Sequence, residues 1–129
     1  MSSKILDNLK YTKDHEWALL EGDVLTVGVT DFAQSSLGDI VFIELPAEGS
    51  AVSKGVACGV IESIKSVSDL YSPASGKIVA SNKDIEAKPE SCNADPYGSW
   101  LVKIKISNPS ELNELMSAAQ YQAHCDAAH

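Results

Sequence analysis

One lysine in this chain has neighbours whose types and spacing suit covalent attachment of a cofactor. Lys65 lies between two short runs of strand-forming residues, and this pattern predicts a hairpin over about residues 56–72 with Lys65 at its tip. A lysine at a hairpin tip presents its amine to other proteins, as a covalent swinging arm requires. Because an exposed lysine is protonated at neutral pH and is then a poor nucleophile, a dedicated enzyme would have to select and acylate it. A lysine in a turn is also an ordinary solvated charge, so the geometry alone leaves both interpretations open.

The elements that would position this lysine are short strands separated by turns. Strands are predicted over residues 16–20, 24–29, 40–45, 56–63, 66–71, 77–80 and 100–106. Glu21-Gly22-Asp23 is typical of a hairpin turn between the first two strands. Thr30 predicts the start of a short helix over residues 31–36, which Gly38 would end. This arrangement favours a small antiparallel sandwich or barrel.

The second half of the chain has less regular patterning. Residues 82–99 contain two prolines and two asparagines, so we expect mostly loop and turn there. Asn108-Pro109-Ser110-Glu111 is a strong helix start, and it predicts a C-terminal helix over about residues 109–119 that packs on the barrel. No linker divides the sequence, so residues 1–129 are expected to form a single domain.

Charge and composition exclude several classes of function. Eighteen acidic residues face ten basic ones, for a net charge of -8, and all ten basic residues are lysines. Such a surface repels nucleic acid and anionic membranes, and it lacks the bidentate contacts that arginine makes with phosphate. No stretch is apolar enough to span a membrane, and no secretory signal is recognisable. We therefore expect a protein that docks on basic faces of partner proteins in a salt-sensitive way.

Residues suited to metal binding or autonomous catalysis are not grouped in this sequence. Cys58, Cys92 and Cys125 are odd in number and widely spaced, which argues against a disulfide framework or a zinc site and fits a reducing compartment. His15 beside Glu16 does not make a metal site. The common nucleotide-binding, metalloprotease and nucleophile-elbow motifs are missing. We predict no catalytic residue and no metal, and hence not an enzyme in its own right.

Residues 10–106 strongly resemble the H-protein family of the glycine cleavage system, whose members are lipoyl carriers. The matching blocks are residues 11–17 (YTKDHEW), 27–34 (VGVTDFAQ), 37–41 (LGDIV), 44–46 (ELP), 62–76 (ESIKSVSDLYSPASG) and 93–98 (NADPYG), with Trp100. The resemblance implies a barrel-sandwich hybrid of the lipoyl and biotinyl type. That fold is mainly β, with short antiparallel strands, a short helix in the N-terminal half and a C-terminal helix.

The resemblance also implies roles for five residues. Lys65 would carry lipoate in amide linkage. Glu62, three residues before it, and Gly76, eleven after it, stand where lipoyl domains have residues associated with correct modification by the ligase. Glu16 and Asp69 match acidic positions that contact the loaded arm in a cleft. Each has a plainer interpretation as a strand charge, a turn glycine or a polar residue of a hairpin.

Related lysine-bearing families fit less well. Biotin carriers typically place the lysine between two methionines, where this chain has Ile64 and Ser66. The lipoyl domains of 2-oxoacid dehydrogenases usually have aspartate immediately before the lysine, a position that Ile64 occupies here. The chain departs from the H-protein pattern at Ser91-Cys92, which replaces an apolar pair, and at Gly98-Ser99, where a glycine-rich run is shortened. Both departures concern local packing and a possible docking loop, not the lysine.

By resemblance, the partners are those of glycine catabolism and one-carbon metabolism. Lipoyl-Lys65 would accept an aminomethyl group from the pyridoxal-phosphate glycine decarboxylase (P-protein). It would deliver this group to the tetrahydrofolate-dependent aminomethyltransferase (T-protein), and dihydrolipoamide dehydrogenase (L-protein) would reoxidise it. A lipoate ligase or lipoyl transferase would attach the cofactor. We expect a monomeric, non-catalytic carrier in a bacterial cytoplasm, or in the mitochondrial matrix if this is a mature eukaryotic chain.

Three other functions remain open at this point. The chain could be a lipoate-relay homologue that does not take part in glycine oxidation. It could be a structural β-barrel interaction module with Lys65 unmodified. An enzyme is the third alternative, and it would need an activity of the apo protein that survives Lys65→Ala.

Overall fold

Two antiparallel sheets form the framework of the chain, for which the computed structural model describes residues 4–127. The strands are β1 (Lys10–Tyr11), β2 (Glu16–Glu21), β3 (Val24–Val29), β4 (Ile40–Glu44), β5 (Ala51–Val52), β6 (Ala57–Ser63), β7 (Val67–Tyr71), β8 (Gly76–Ser81) and β9 (Val102–Ile106). The helices are α1 (Asp31–Leu37), α2 (Lys83–Ala87), α3 (Ser91–Ala94), a 3₁₀ helix (Pro109–Glu114) and α4 (Ala118–Ala127). The larger sheet has the order β1-β2-β3-β9-β8-β5, and the smaller has the order β4-β6-β7.

The predicted strands are present, and their registers place apolar residues between the sheets. Ile43 pairs with Ile61 in the smaller sheet, and both residues are buried, at 2% exposure. In the larger sheet Ile78 and Leu25 each pair with Ile104, and all three are buried. These side chains belong to a single cluster that draws on both sheets. Burial of apolar area between the sheets is therefore the main stabilising interaction of the fold.

Helix α1 begins and ends where its capping residues predict. The Oγ1 of Thr30 accepts a hydrogen bond from the N–H of Ala33 at 3.1 Å. At the other end the N–H of Gly38, with φ of 79°, donates to the carbonyl of Gln34 at 3.0 Å. The amide of Asn93 then donates to the Gly38 carbonyl at 2.8 Å and accepts from the Ile40 N–H at 2.9 Å. This asparagine therefore fixes the link between α1 and β4.

Residues 82–99 are more regular than the sequence predicted. They contain α2 and α3. Ile85 in α2 and Cys92 in α3 are buried, and these two apolar side chains order a segment that was expected to be mostly loop. The two departures from the H-protein pattern meet here, because the Ser99 hydroxyl donates to the carbonyl of Ser91 at 3.0 Å. Cys92 is completely buried, and all three cysteines are free thiols.

The C-terminal helix differs from the prediction of one helix over residues 109–119. Asn108 does cap a helix, but this is the 3₁₀ helix, and it ends before Leu115, which is extended with ψ of 148°. The reason is a tertiary contact, since Met116 exchanges backbone hydrogen bonds of 2.8 and 2.9 Å with Tyr11. Helix α4 starts only afterwards, and it buries Tyr121 and Cys125.

Within residues 4–127 no helix has the length and apolar content needed to cross a bilayer.

Strands β8 and β9 approach each other closely at Gly76, and a substitution at this position tests how much that close approach contributes to stability. A Cβ at this position would fall on the carbonyl oxygen of Lys105 in β9. We expect Gly76→Ala to destabilise the protein by about 1–3 kcal/mol, because the strand must shift to relieve the overlap. Urea unfolding followed by circular dichroism measures the effect, with Lys77→Ala at the exposed neighbouring position as control. Equal unfolding midpoints for Gly76→Ala and the unsubstituted protein would contradict this explanation.

Candidate functional site

The structure places Lys65 at the tip of the β6–β7 hairpin, as predicted. Register pairs from Ala57 with Tyr71 to Glu62 with Val67 define the hairpin. The Ser63 N–H donates to the carbonyl of Ser66 at 2.8 Å, and the Ser63 hydroxyl accepts from the N–H groups of Lys65 and Ser66 at 3.3 and 3.2 Å. A serine at the end of β6 therefore closes the turn and orders the backbone of the lysine itself.

A second contact anchors this turn to the body of the protein. The N–H of Ile64 donates to the carbonyl of Asp39 at 3.0 Å, just before β4. The aliphatic part of Lys65 passes over Gly38, where an added Cβ would lie 3.4 Å from the Lys65 Cε. Lys65 as a whole remains exposed. The amine is thus accessible while its backbone is held at both ends of the turn.

Glu62 and Gly76 lie at different distances from this tip. Glu62 is half-buried and pairs with Phe42 on one side and Val67 on the other, so it stands one register row from the turn. Gly76 belongs to the larger sheet, where it pairs with Val52 and Ile106. It follows the base of the hairpin, and the length of β7 separates it from the tip. The structure therefore brings Glu62 close to Lys65 but does not bring Gly76 close to it.

A cleft of about 170 Å³ lies between α1, the start of β2 and the hairpin. Both predicted cleft residues line it, Glu16 and Asp69. Its other lining residues include Asp14, His15, Ser36, Leu37, Ile61 and Ser68. Asp69 is exposed, whereas Glu16 is only 3% exposed, so one carboxylate lies at the rim and the other lies deep in the protein.

Glu16 is a buried carboxyl group that contacts the base of the lysine hairpin. Its Oε1 accepts a hydrogen bond from the Thr12 hydroxyl at 2.7 Å, and its Oε2 accepts from the N–H of Tyr71 at 3.2 Å. Burial raises the pKa of Glu16 to about 7, and the nearby negative charge of Asp14 adds to the shift. The two hydrogen bonds favour the ionised form but only partly offset burial. The cleft therefore contains a carboxyl group that changes charge close to neutral pH.

His15 connects the cleft to the C-terminal helix. Its backbone has φ of 68°, and its Nδ1 shares a 2.7 Å hydrogen bond with the hydroxyl of Tyr121 in α4. The same hydroxyl is 2.7 Å from the Oγ1 of Thr30, and the His15 ring stacks on Phe32 with centroids 4.5 Å apart. Burial lowers the pKa of His15, and the nearby His124 lowers it further.

Several residues that shape the site were not predicted from the sequence. Ser63 had a local signal, because a serine at a strand end before a turn can bond the turn backbone. Ser68 also had one, since alternation along β7 places it on the inner face when Val67 and Asp69 are exposed. Asp39 acts through its backbone carbonyl, and His15 acts through α4, so neither contact leaves a signature in the local sequence.

The raised pKa of Glu16 predicts a pH dependence of stability. In the unfolded chain this group titrates near 4.5 and in the folded protein near 7, so the folded state holds the proton more tightly. Stability from this group is complete below pH 4.5 and is lost as pH rises through 7, by about 3 kcal/mol at about 1.4 kcal/mol per pKa unit. Glu16→Gln keeps an acceptor oxygen without titrating, and we expect it to remove this loss.

The measurement is urea unfolding at several pH values between 4 and 8.5 for Glu16→Gln and the unsubstituted protein. Glu21→Gln, at the exposed end of the same strand, is the control and should follow the unsubstituted protein. Parallel pH curves for the Glu16→Gln variant and the unsubstituted protein would show that the carboxyl does not titrate in this range.

The comparisons with known proteins agree with this geometry. A family model described as glycine cleavage H-protein matches residues 9–128. The glycine cleavage system H protein of Koribacter versatilis is 51% identical over 115 residues, covering 89% of each chain. That of Cyanothece sp. is 48% identical over 129 residues, covering 99% of this chain and all of the relative.

A solved structure extends the comparison to the fold. The crystal structure of a glycine cleavage system H protein from Mycobacterium marinum matches with a TM-score of 0.82 and 39% identity, over 92% of this chain and 97% of the other. Together with the two antiparallel sheets and the C-terminal helix, this match confirms the predicted barrel-sandwich hybrid. The match of nearly the whole chain in sequence and in structure shows that it belongs to the glycine cleavage H-protein family.

Proposed function

We propose that this H-protein of the glycine cleavage system carries lipoate in amide linkage on Lys65. The observation that supports this most directly is the ordered hairpin tip, where Ser63 and Asp39 hold the backbone and the lysine stays exposed. Rigid presentation at a hairpin tip lowers the entropic cost of docking an acylating enzyme. Lys65 thus has the position that an attachment site for a mobile arm needs.

The proposed cofactor supplies the reactive chemistry, and the chain supplies its tether. When attached, lipoate would supply a disulfide able to take up an aminomethyl group at the pyridoxal-phosphate glycine decarboxylase, to give it up at the tetrahydrofolate-dependent aminomethyltransferase, and to be reoxidised at dihydrolipoamide dehydrogenase. Tethering through Lys65 raises the effective concentration of the arm at each docked active site. We assign no catalytic residue to the chain.

The acidic cleft is proposed to receive the loaded arm. Asp69 at its rim and Glu16 in its depth would face the cationic amine of the aminomethyl group. A cation beside the Glu16 carboxyl favours its ionised form and so opposes the effect of burial on its pKa. The cleft would thereby hold the cation by charge-assisted contacts and limit its exposure to water.

Glu62 and Gly76 are proposed to act in ligase recognition in different ways. Glu62 lies one register row from the tip, and it would contact a lipoate ligase or lipoyl transferase directly. Gly76 would act indirectly. Its close approach to β9 fixes the position of the segment that follows the base of the hairpin. We further propose that the carrier works as a monomer in the bacterial cytoplasm, a location supported by the bacterial origin of the relatives above.

Acylation of Lys65 is the first prediction of this proposal. Incubation of the purified protein with lipoate ligase, ATP and lipoate should add the mass of one lipoyl group, confined to the peptide that contains Lys65. Lys65→Arg, which keeps the charge but cannot be acylated by the ligase, should gain no mass, whereas Lys77→Ala should be modified normally. A folded protein that stays unmodified beside a competent acceptor would rule out the carrier function.

Loading from glycine separates this function from lipoate relay. The lipoylated protein, mixed with glycine decarboxylase and isotopically labelled glycine, should acquire labelled aminomethyl groups at a rate proportional to the fraction of lipoylated Lys65. Lipoylated protein that transfers lipoate to other acceptors but gains no label from glycine would support the relay alternative. Lys65→Arg serves as the unloaded control.

A further inference from the structure

The exposed apolar side chains of this protein are concentrated beside Lys65. Among the described residues seven large hydrophobic side chains are exposed, and four of them lie at the tip end of the three-stranded sheet. We define these four, Val41, Phe42, Ile64 and Val67, as the tip patch. Their exposures are 55%, 46%, 70% and 66% respectively. Single exposed apolar residues are ordinary, but a cluster of this kind usually marks an interaction site.

Backbone register explains how the patch forms one surface. Phe42 pairs with Glu62, and Glu62 pairs with Val67, so the three side chains stand in one row on the outer face of the sheet. A β-bulge between Ile40 and Phe42 adds Val41 to the same exposed side of β4. This row is about 10 Å wide, because neighbouring strands lie about 4.8 Å apart.

The charge around the patch limits what can cover it. Residues 38–44 and 60–70 contain four acids, Asp39, Glu44, Glu62 and Asp69, and Lys65 is the only basic residue among them. A second copy of this chain would bring acids against acids, on top of a net charge of -8 for each molecule. A partner with an apolar face bordered by basic groups is complementary to the patch. The charge pattern therefore favours a different protein over self-association.

Distance from the reacting atoms identifies this partner. An enzyme that uses the finished arm acts at the far end of the acyl chain, and it can do so without covering the residues beside Lys65. An acylating enzyme must instead bring its acyl carbon to within about 3–3.5 Å of the Lys65 Nζ. It must therefore cover the surface on which Ile64 and Val67 flank the lysine.

We propose that the tip patch, with Glu62 in its centre, is the docking surface for the enzyme that acylates Lys65. This inference rests on the proposed function. In the reaction the Lys65 Nζ attacks the carbonyl carbon of a lipoyl adenylate, a C–N bond replaces the C–O bond to phosphate, and AMP leaves. The ammonium group gives up two protons to the surroundings as it becomes an amide. The apolar row aligns the hairpin for this attack, and a basic group of the enzyme faces Glu62.

The test compares two double variants that remove similar exposed apolar groups. Phe42→Thr with Val67→Thr changes the patch, and Leu20→Thr with Val79→Thr changes two equally exposed residues of the larger sheet, each 44% exposed. Threonine suits strands, so both proteins should keep their circular dichroism spectra and urea midpoints. Initial rates of lipoylation by a lipoate ligase with ATP and lipoate are followed by intact mass.

We expect kcat/KM of lipoylation to fall at least tenfold for the patch variant, mainly through KM, and to stay within twofold for the control pair. After prolonged incubation to full lipoylation, loading from glycine by the decarboxylase should be within twofold of the unsubstituted protein. Equal lipoylation of the two double variants would overturn the docking surface and leave the carrier function intact. Equal losses in lipoylation and in loading would also overturn it, because the patch would then not be specific to the acylating enzyme.

Two further outcomes are decisive. Self-association of the unsubstituted protein in sedimentation velocity, lost in the patch variant, would assign the surface to a second copy of the chain and overturn the inference. Failure of the unsubstituted protein to be lipoylated at all would overturn the proposed function, and the docking surface with it.

Discussion

The presentation of Lys65 depends on backbone hydrogen bonds that hold the tip of the β6–β7 hairpin against the start of β4. An isolated two-stranded hairpin is marginal in water, so the lysine would be poorly positioned without a third strand and an anchor. The Ile64 N–H to Asp39 carbonyl bond supplies this anchor, and the end of α1 with Asn93 in turn fixes the segment that carries Asp39. Order at the tip is therefore a property of α1, α3 and β4 as much as of the hairpin.

At the other end of the hairpin, a buried carboxyl group links its base to the larger sheet. Glu16 belongs to β2, yet its Oε2 accepts from the N–H of Tyr71, where β7 ends. Burying this group raises its pKa to about 7, which means that its ionised form is costly in the absence of a cation. Both carboxyl oxygens accept hydrogen bonds here, whereas a side-chain amide would offer one acceptor oxygen. A carboxyl group in this position makes the cleft responsive to a positive charge, which suits a pocket for an amine.

The parts of this fold that sequence could predict are those with local causes. Alternating residues and the turn at Glu21-Gly22-Asp23 predicted β2 and β3, and Thr30 and Gly38 marked both ends of α1. The prediction of one helix over residues 109–119 was wrong because Met116 pairs with Tyr11. This contact between distant residues outweighs helix propensity. Helix α4 does have a local signal in the sequence. Ser117 and Gln120 form a reciprocal capping box, with hydrogen bonds of 2.8 and 3.2 Å.

The same distinction between local and distant causes applies to the site. The resemblance to the H-protein family predicts roles for five residues, Lys65, Glu62, Gly76, Glu16 and Asp69. It does not predict how deeply each side chain lies, so the contrast between buried Glu16 and exposed Asp69 appears only in the structure. His15 is the clearest case. A left-handed backbone is unfavourable for a residue other than glycine, at about 1–3 kcal/mol.

Contacts from α4 compensate for that strain. Tyr121 hydrogen-bonds the His15 ring and stacks on Tyr11 with centroids 4.5 Å apart, which fixes the wall of the cleft that His15 lines. Burial and the nearby His124 lower the pKa of His15, which disfavours a positive charge on the ring in a pocket whose carboxylates would bind a cation. The C-terminal helix thus contributes to the cleft through packing, although it supplies none of the charged groups that line it.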